Sequence, residues 1–196
     1  MVNKSILIIT GDYTEDYETY IPLQILEMFG YTVHMTSPGK KEGDYVISAV
    51  HDFIPGEQTY TELRGHRIQI NYDFEKVSVN NYNGLYIPGG RAPEYLRLNP
   101  KVISIVQDFH KAKKPIATIC HGPLVLQAAG ILKGVQCTSY PACKPDLQIC
   151  GGDYKEVDVS KVVEDLEHNI FTSPAWPGQG ALMKRFLEAL GSKIIS

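Results

Sequence analysis

Several features that would assign a function class at once are missing from this sequence. No apolar run approaches the ~18 residues needed to span a bilayer. The leading Met1-Val2-Asn3-Lys4-Ser5 enters only a short apolar stretch, Ile6 to Thr10, with no small-residue cleavage site, so no signal peptide is expected. Basic residues are not in excess: 19 Lys+Arg stand against 22 Asp+Glu, a net charge of −3. That balance carries no electrostatic footprint for nucleic acid or an acidic membrane. Low-complexity segments, internal repeats, linkers and phosphate loops are absent. Cysteine is sparse, with four residues at 120, 137, 143 and 150 and no C-x-x-C pair. Such loose spacing predicts free thiols and neither a disulfide framework nor a zinc site. What remains is an ordinary globular composition, 43% hydrophobic and 21% charged over 196 residues. It predicts a single domain, 1–196, in a cytoplasmic protein.

The apolar pattern alternates between short buried strands and helices. Ser5–Thr10 (SILIIT) has the continuous β-branched character of a strand buried on both faces. A helical pattern follows from about Asp16 to Phe29, with Gly30 as its stop and Pro22 marking a kink or a late start. Tyr31–Ser37 alternates like a second strand. The segment 38–72, rich in glycine, polar and β-branched residues, predicts a hairpin-bearing excursion. Further strands are expected at Gly84–Pro88, Pro115–Ile119, Val135–Thr138 and Asn169–Ser173, with helices at Asn99–Lys113, His121–Ala129 and Gly180–Leu190. This alternation predicts a parallel sheet covered on both faces, with ligands at the carboxyl ends of its strands.

Cys120 stands at one of those ends, between PIATI and the helix HGPLVLQAA. The strand–nucleophile–helix turn resembles a nucleophile elbow, with Thr118 where the first glycine of G-x-S-x-G would be. A sulfur at a helix N-terminus gains from free N–H groups, and the His121 N–H would serve an oxyanion hole. Gly89 and Gly90, after the GLYIP strand, allow close backbone approach and supply the other half of that hole. The acidic run Glu15, Asp16 and Glu18 ends near the same place, and pattern alone does not choose among the three. Cys137, Cys143 and Cys150 are read as packing. His34, His51, His66, His110 and His168 are read as surface or satisfied residues, and Lys111–Lys114 as a solvated helix end. Tyr13, Tyr17 and Tyr20 are read as core or interface residues.

The strings GDYTEDYETYIPLQIL, YIPGGRAPEYLRLN, IATICHGPLVLQAAGILKG, TSYPACK and SPAWPGQG together resemble the ThiJ/PfpI (DJ-one) superfamily over nearly the whole chain. The resemblance is strongest to PfpI-type intracellular peptidases and to one repeat of the plant two-domain, cofactor-free glyoxalase III proteins. It implies an α/β, flavodoxin-like three-layer sandwich of class I glutamine-amidotransferase type. It implies Cys120 as nucleophile, Glu18 as the acid against its sulfur, and His121 as its neighbouring imidazole. It further implies that Glu94, in the R-A-P-E string, orients His121 of a neighbouring subunit, in a homodimer that assembles further to a hexamer. In a lone chain Glu94 would be an exposed acid facing away from Cys120. Trp176-Pro177-Gly178 is followed by Gln179, where glyoxalase-like relatives often carry a histidine.

Three functions follow. The first is a cofactor-independent, glyoxalase III-like conversion of methylglyoxal or glyoxal to 2-hydroxy acids through a Cys120 hemithioacetal, with no metal. The second is a PfpI-type cysteine peptidase or protein deglycase. The third is a redox-responsive stress protein or chaperone built on an accessible, low-pKa Cys120.

Overall fold

The computed structural model describes residues 4–194; Met1–Asn3, which begin the expected domain and its leader reading, and Ile195 and Ser196, lie outside the described residues. In chain order the elements are β1 (Ser5–Ile9), β2 (Thr14–Glu15), α1 (Asp16–Met28), β3 (Thr32–Thr36), β4 (Tyr45–Asp52), β5 (Thr61–Gln69), β6 (Gly84–Ile87), α2 (Ala92–Leu96) and α3 (Pro100–Lys111). They continue with β7 (Ile116–Ile119), α4 (Pro123–Ala128), β8 (Gln136–Cys137), α5 (Lys144–Ile149), β9 (Asp153–Tyr154), β10 (Val163–Asp165), β11 (Ile170–Ser173) and α6 (Gln179–Ala189).

The central sheet has the order β10-β11-β7-β6-β1-β3. All its pairs are parallel except the β10–β11 edge, an antiparallel addition that the sequence pattern did not predict. Strand alternation divides the core. Leu7 and Ile9 join Leu85, Ile87 and Ile116 under α3 and α4, while Ile6 and Ile8 join Tyr86, Ala117 and Ile119 under α6. Both faces are therefore apolar and covered, giving the flavodoxin-like three-layer sandwich. The predicted α3 stripe of Val102, Ile105, Val106 and Phe109 is buried, and Asn99 caps the helix through the Lys101 and Val102 N–H groups. Lys114 departs from the solvated reading: its Nζ donates to the carbonyls of Val79 and Tyr82 at 2.7 and 2.6 Å.

The excursion at 38–72 forms the β4–β5 hairpin, antiparallel, with β4 also paired to β2. Helix α1 runs through Pro22. Proline has no N–H, so the carbonyl four residues earlier, that of Glu18, is left outside the helical ladder. The Tyr86 hydroxyl, rising from β6, donates to it at 2.9 Å.

Candidate active site

The carboxyl ends of β1, β6 and β7 are neighbours in the sheet, and the loops after them bring Glu18, Gly89–Gly90 and Cys120 together. Cys120 has φ of +59°, in the left-handed region that non-glycine residues rarely occupy. Its N–H donates to the Ser173 carbonyl at 3.0 Å, its carbonyl accepts from Tyr140 N–H at 3.0 Å, and Gly122 N–H closes onto Ile119 at 2.8 Å. Those bonds hold the strained turn from both sides. The sulfur lies 3.2 Å from His121 Nδ1.

The three acids divide their tasks. Glu15 caps α1, its carboxylate accepting from Glu18 N–H at 2.7 Å. Asp16 turns to the hairpin, where it meets the Ser48 hydroxyl and, at 3.0 Å, His66 Nδ1. Glu18 alone faces the cysteine. Its Oε2 accepts from Gly89 N–H at 2.9 Å, and its buried Oε1 has no regular hydrogen-bond partner among the described residues. A Cβ on Gly89 would overlap both Glu18 Oε2 and the Cys120 Cβ, which explains glycine there. Gly90, at φ +75°, is pressed against the backbone of Tyr13–Glu15. The two glycines thus differ: the Gly89 N–H is taken by Glu18, while the N–H groups of Gly90 and His121 favour negative charge on the Cys120 sulfur.

Burial raises the Glu18 carboxyl well above the ordinary range, and the charge of Glu15 adds to this; Gly89, Cys120 and Trp176 pull the other way. Burial also raises the Cys120 thiol, and Glu18 adds to it. That corrects the expectation of an accessible, low-pKa thiol: Cys120 is only 3% exposed, and desolvation outweighs the helix-terminus effect. Two such groups in one dry site do not ionise together. Each has backbone N–H groups that favour its charge, but the charge of Glu15 weighs on the Glu18 carboxyl. The carboxyl is therefore the member that keeps its proton. Burial, reinforced by His51, lowers His121 to about 4, so its imidazole is neutral at pH 7.

An aromatic roof closes the site. His121 stacks on Tyr140 with ring centres 5.0 Å apart, and Tyr60 meets both rings edge-on at 6.1 and 5.4 Å. Phe53, from the hairpin tip, stacks on Trp176 at 4.8 Å. None of these four roofing residues, Phe53, Tyr60, Tyr140 and Trp176, was singled out as a site residue from the sequence. The hairpin also brings His51, whose side chain is 1% exposed and whose Nε2 lies 3.2 Å from Glu62 Oε2. Of the two readings given to it, surface or satisfied, the second holds: His51 is buried and hydrogen-bonded. The cross-strand register of His51 with Glu62 was the missing signal. Tyr17 is exposed, and Tyr13 packs under Arg91 at 4.2 Å.

Gln179 is buried, with its amide oxygen 3.1 Å from the Tyr86 hydroxyl, so it buttresses the segment behind Glu18. Glu94 makes no hydrogen bond to His121 within the chain. It is half-buried in α2, less open than the exposed acid of the lone-chain reading. Among the described residues no group of three or more His, Cys, Asp or Glu side chains is placed to hold a metal ion, and no helix is long and apolar enough to cross a membrane.

The chain as a whole is similar to known proteins in sequence and in fold. The chain is 44% identical over 192 residues to Protein DJ-1 homolog D of Arabidopsis thaliana, covering 98% of this chain and 49% of the relative. It thus spans about half the length of the plant relatives it matches. It is 34% identical over 154 residues to Deglycase PH1704 of Pyrococcus horikoshii, covering 79% of this chain and 82% of the relative. The fold superposes on Drosophila melanogaster DJ-1beta with a TM-score of 0.79 at 23% identity, over 97% of this chain and 92% of that one. The DJ-1/PfpI family itself is matched across residues 4–189, from β1 to the end of α6, and the chain belongs to it.

Proposed function

We propose that this protein is a cofactor-independent, glyoxalase III-like enzyme that converts methylglyoxal or glyoxal to 2-hydroxy acids at Cys120. The observation that carries the reading is the enclosure of Cys120 beside the buried Glu18 carboxyl, under the Tyr60–Tyr140–Phe53–Trp176 roof. A small, reactive carbonyl suits so enclosed a sulfur better than an extended peptide does. The Cys120 sulfur bonds to the aldehyde carbon and the Glu18 carboxyl proton passes to the former carbonyl oxygen, giving a hemithioacetal. The Gly90 and His121 N–H groups steady the oxyanion. Removal of the C1 proton and its return at C2 give a thioester, which water hydrolyses. The aldehyde carbon is oxidised and the ketone carbon reduced, so the redox change is internal.

A protein deglycase is the second reading. It is supported by the name of the Pyrococcus horikoshii relative, and it uses the same sulfur on a methylglyoxal adduct. Both readings include Glu94 from a second copy, in at least a homodimer and more often a hexamer. Tyr95 and Leu98, 70% and 72% exposed beside Glu94, favour such a contact. The deciding experiment supplies free methylglyoxal, or a preformed hemithioacetal of N-acetylcysteine with a scavenger for free aldehyde, without glutathione. Lactate from free methylglyoxal supports the first reading. Lactate only from the scavenged adduct supports the second, and none from either overturns both.

A further inference from the structure

We propose that His51, carried on the β4–β5 hairpin and held by Glu62 and Arg91, is a second proton-transfer group of the Cys120 site, moving the proton between the two carbonyl-derived carbons of a bound 2-oxoaldehyde. The inference rests on the glyoxalase-like reading and adds a residue to it.

The hairpin register sets His51 opposite Glu62, with Nε2 3.2 Å from Oε2. Arg91 grips the same carboxylate from the other side, Nη2 to Oε1 at 2.7 Å and Nε to Oε2 at 3.2 Å. Arg91 is itself fixed: its guanidinium lies over the Tyr13 ring, and its N–H donates to the Tyr13 carbonyl at 2.9 Å. It also follows Gly90 directly, so the chain tethers the His51–Glu62 pair to the loop whose N–H groups serve the sulfur.

The charges fix the tautomer. Burial works against ionisation of Glu62, yet the Arg91 and His51 hydrogen bonds hold it below the usual carboxylate range. An ionised carboxylate only accepts, so the His51 proton sits on Nε2 and Nδ1 keeps its basic lone pair. Burial lowers His51 itself, Glu62 opposes this and Arg91 adds to it, leaving a neutral imidazole. The groups facing it are Glu62 from β5, Arg91 before α2, Tyr60 from the hairpin tip and His121 after β7. His51 packs on Tyr60 at 4.4 Å, and the same ring meets His121 at 6.1 Å. The Tyr60 phenol in turn feels the charge of Cys120. Tyr60 thus touches both His51 and His121, the residue that follows the nucleophile, and the charge of His51 is felt directly at His121.

In the step assigned to it, His51 Nδ1 takes the C1 proton of the Cys120 hemithioacetal. The C–H electron pair becomes a C1=C2 bond and the C2 carbonyl becomes an enediolate oxygen. The proton returns to C2, the C1 hydroxyl proton passes to the C2 oxygen so that C1 becomes the thioester carbonyl, and one water cleaves the C1–S bond, releasing the 2-hydroxy acid and restoring the Cys120 thiol. No external oxidant or reductant enters.

The test compares wild type, His51→Ala, His51→Gln and Glu62→Gln for lactate formation from methylglyoxal, alkylation of Cys120 by iodoacetamide, and the pH profile. Expected for both His51 variants is a loss of about 100-fold in turnover with Cys120 alkylation unchanged, and partial recovery of His51→Ala by added imidazole. Glu62→Gln keeps the imidazole but removes the charge that raises its pKa, so the acid limb of kcat/KM moves to lower pH. Wild-type turnover in either His51 variant overturns the proposal. So does a loss that accompanies loss of Cys120 alkylation and that imidazole does not relieve, or an unmoved acid limb in Glu62→Gln. A wild type that makes no lactate overturns the glyoxalase-like reading instead.

Discussion

Tyr86 donates its hydroxyl proton to the main-chain carbonyl of Glu18 at 2.9 Å, the carbonyl that Pro22 leaves free one helical turn later. A break in the α1 ladder is thereby converted into a bond between β6 and the residue whose carboxyl meets Cys120. Tyr86→Phe leaves that buried carbonyl without a partner and should cost about 1–3 kcal/mol. Urea unfolding checks it, and a change below a few tenths would mean that the bond contributes nothing.

Glu18→Gln keeps a side chain of the same shape beside the sulfur but removes the carboxyl proton. Alkylation of Cys120 should persist, while turnover on methylglyoxal falls by about 100-fold. Parallel alkylation and lactate assays separate the two effects. Unchanged turnover would remove Glu18 from proton transfer.

Glu15 predicts a pH effect of definite sign. Burial raises its carboxyl to about 7 from 4.5, opposed by the Glu18 N–H. The folded state therefore holds a proton that the unfolded chain releases near pH 4.5. The contribution is fully present below that pH and is lost as pH rises through about 7. Glu15→Gln does not titrate and keeps an oxygen for the helix cap. Relative to wild type it should gain on the order of 1–3 kcal/mol between pH 4.5 and pH 8, measured by urea unfolding at both. A gain toward low pH would reverse the assignment.

Mild peroxide should modify Cys120 before the other three cysteines. Burial pushes Cys137 and Cys143 to about 12. Burial raises the Cys120 thiol as well, but there the Gly90 and His121 N–H groups oppose it, and the sulfur stands in the candidate active site. Peptide mass spectrometry gives the order. Oxidation of Cys150 first would show that exposure outweighs those N–H groups.

The buried strands and the Cys120 elbow were legible because the continuous apolar runs SILII and IATI leave few alternatives to a doubly covered sheet. The strings around Glu18 and Gly89 were legible through their resemblance to other chains, whereas the choice between Glu15, Asp16 and Glu18 needed geometry. Asp16 goes to Ser48 and His66, which lie 32 and 50 residues away, and no local pattern encodes that pairing. The hairpin was expected, but not what it carries. His51, Phe53 and Tyr60 reach the site only because β4 and β5 fold over it, and hairpin register is set by tertiary contacts as well as by alternation. The depressed thiol pKa expected at a helix start failed for a related reason. Cys120 is buried by the tertiary fold, and Tyr60 and Tyr140 near it come from distant segments.

The central claim is that Cys120 performs carbonyl chemistry on a 2-oxoaldehyde. It is tested most directly by measuring lactate formed from methylglyoxal, without glutathione, by wild type and Cys120→Ala at equal concentrations of folded protein. The account predicts steady lactate release by wild type and none above the uncatalysed background by Cys120→Ala. Equal rates from the two proteins would contradict it.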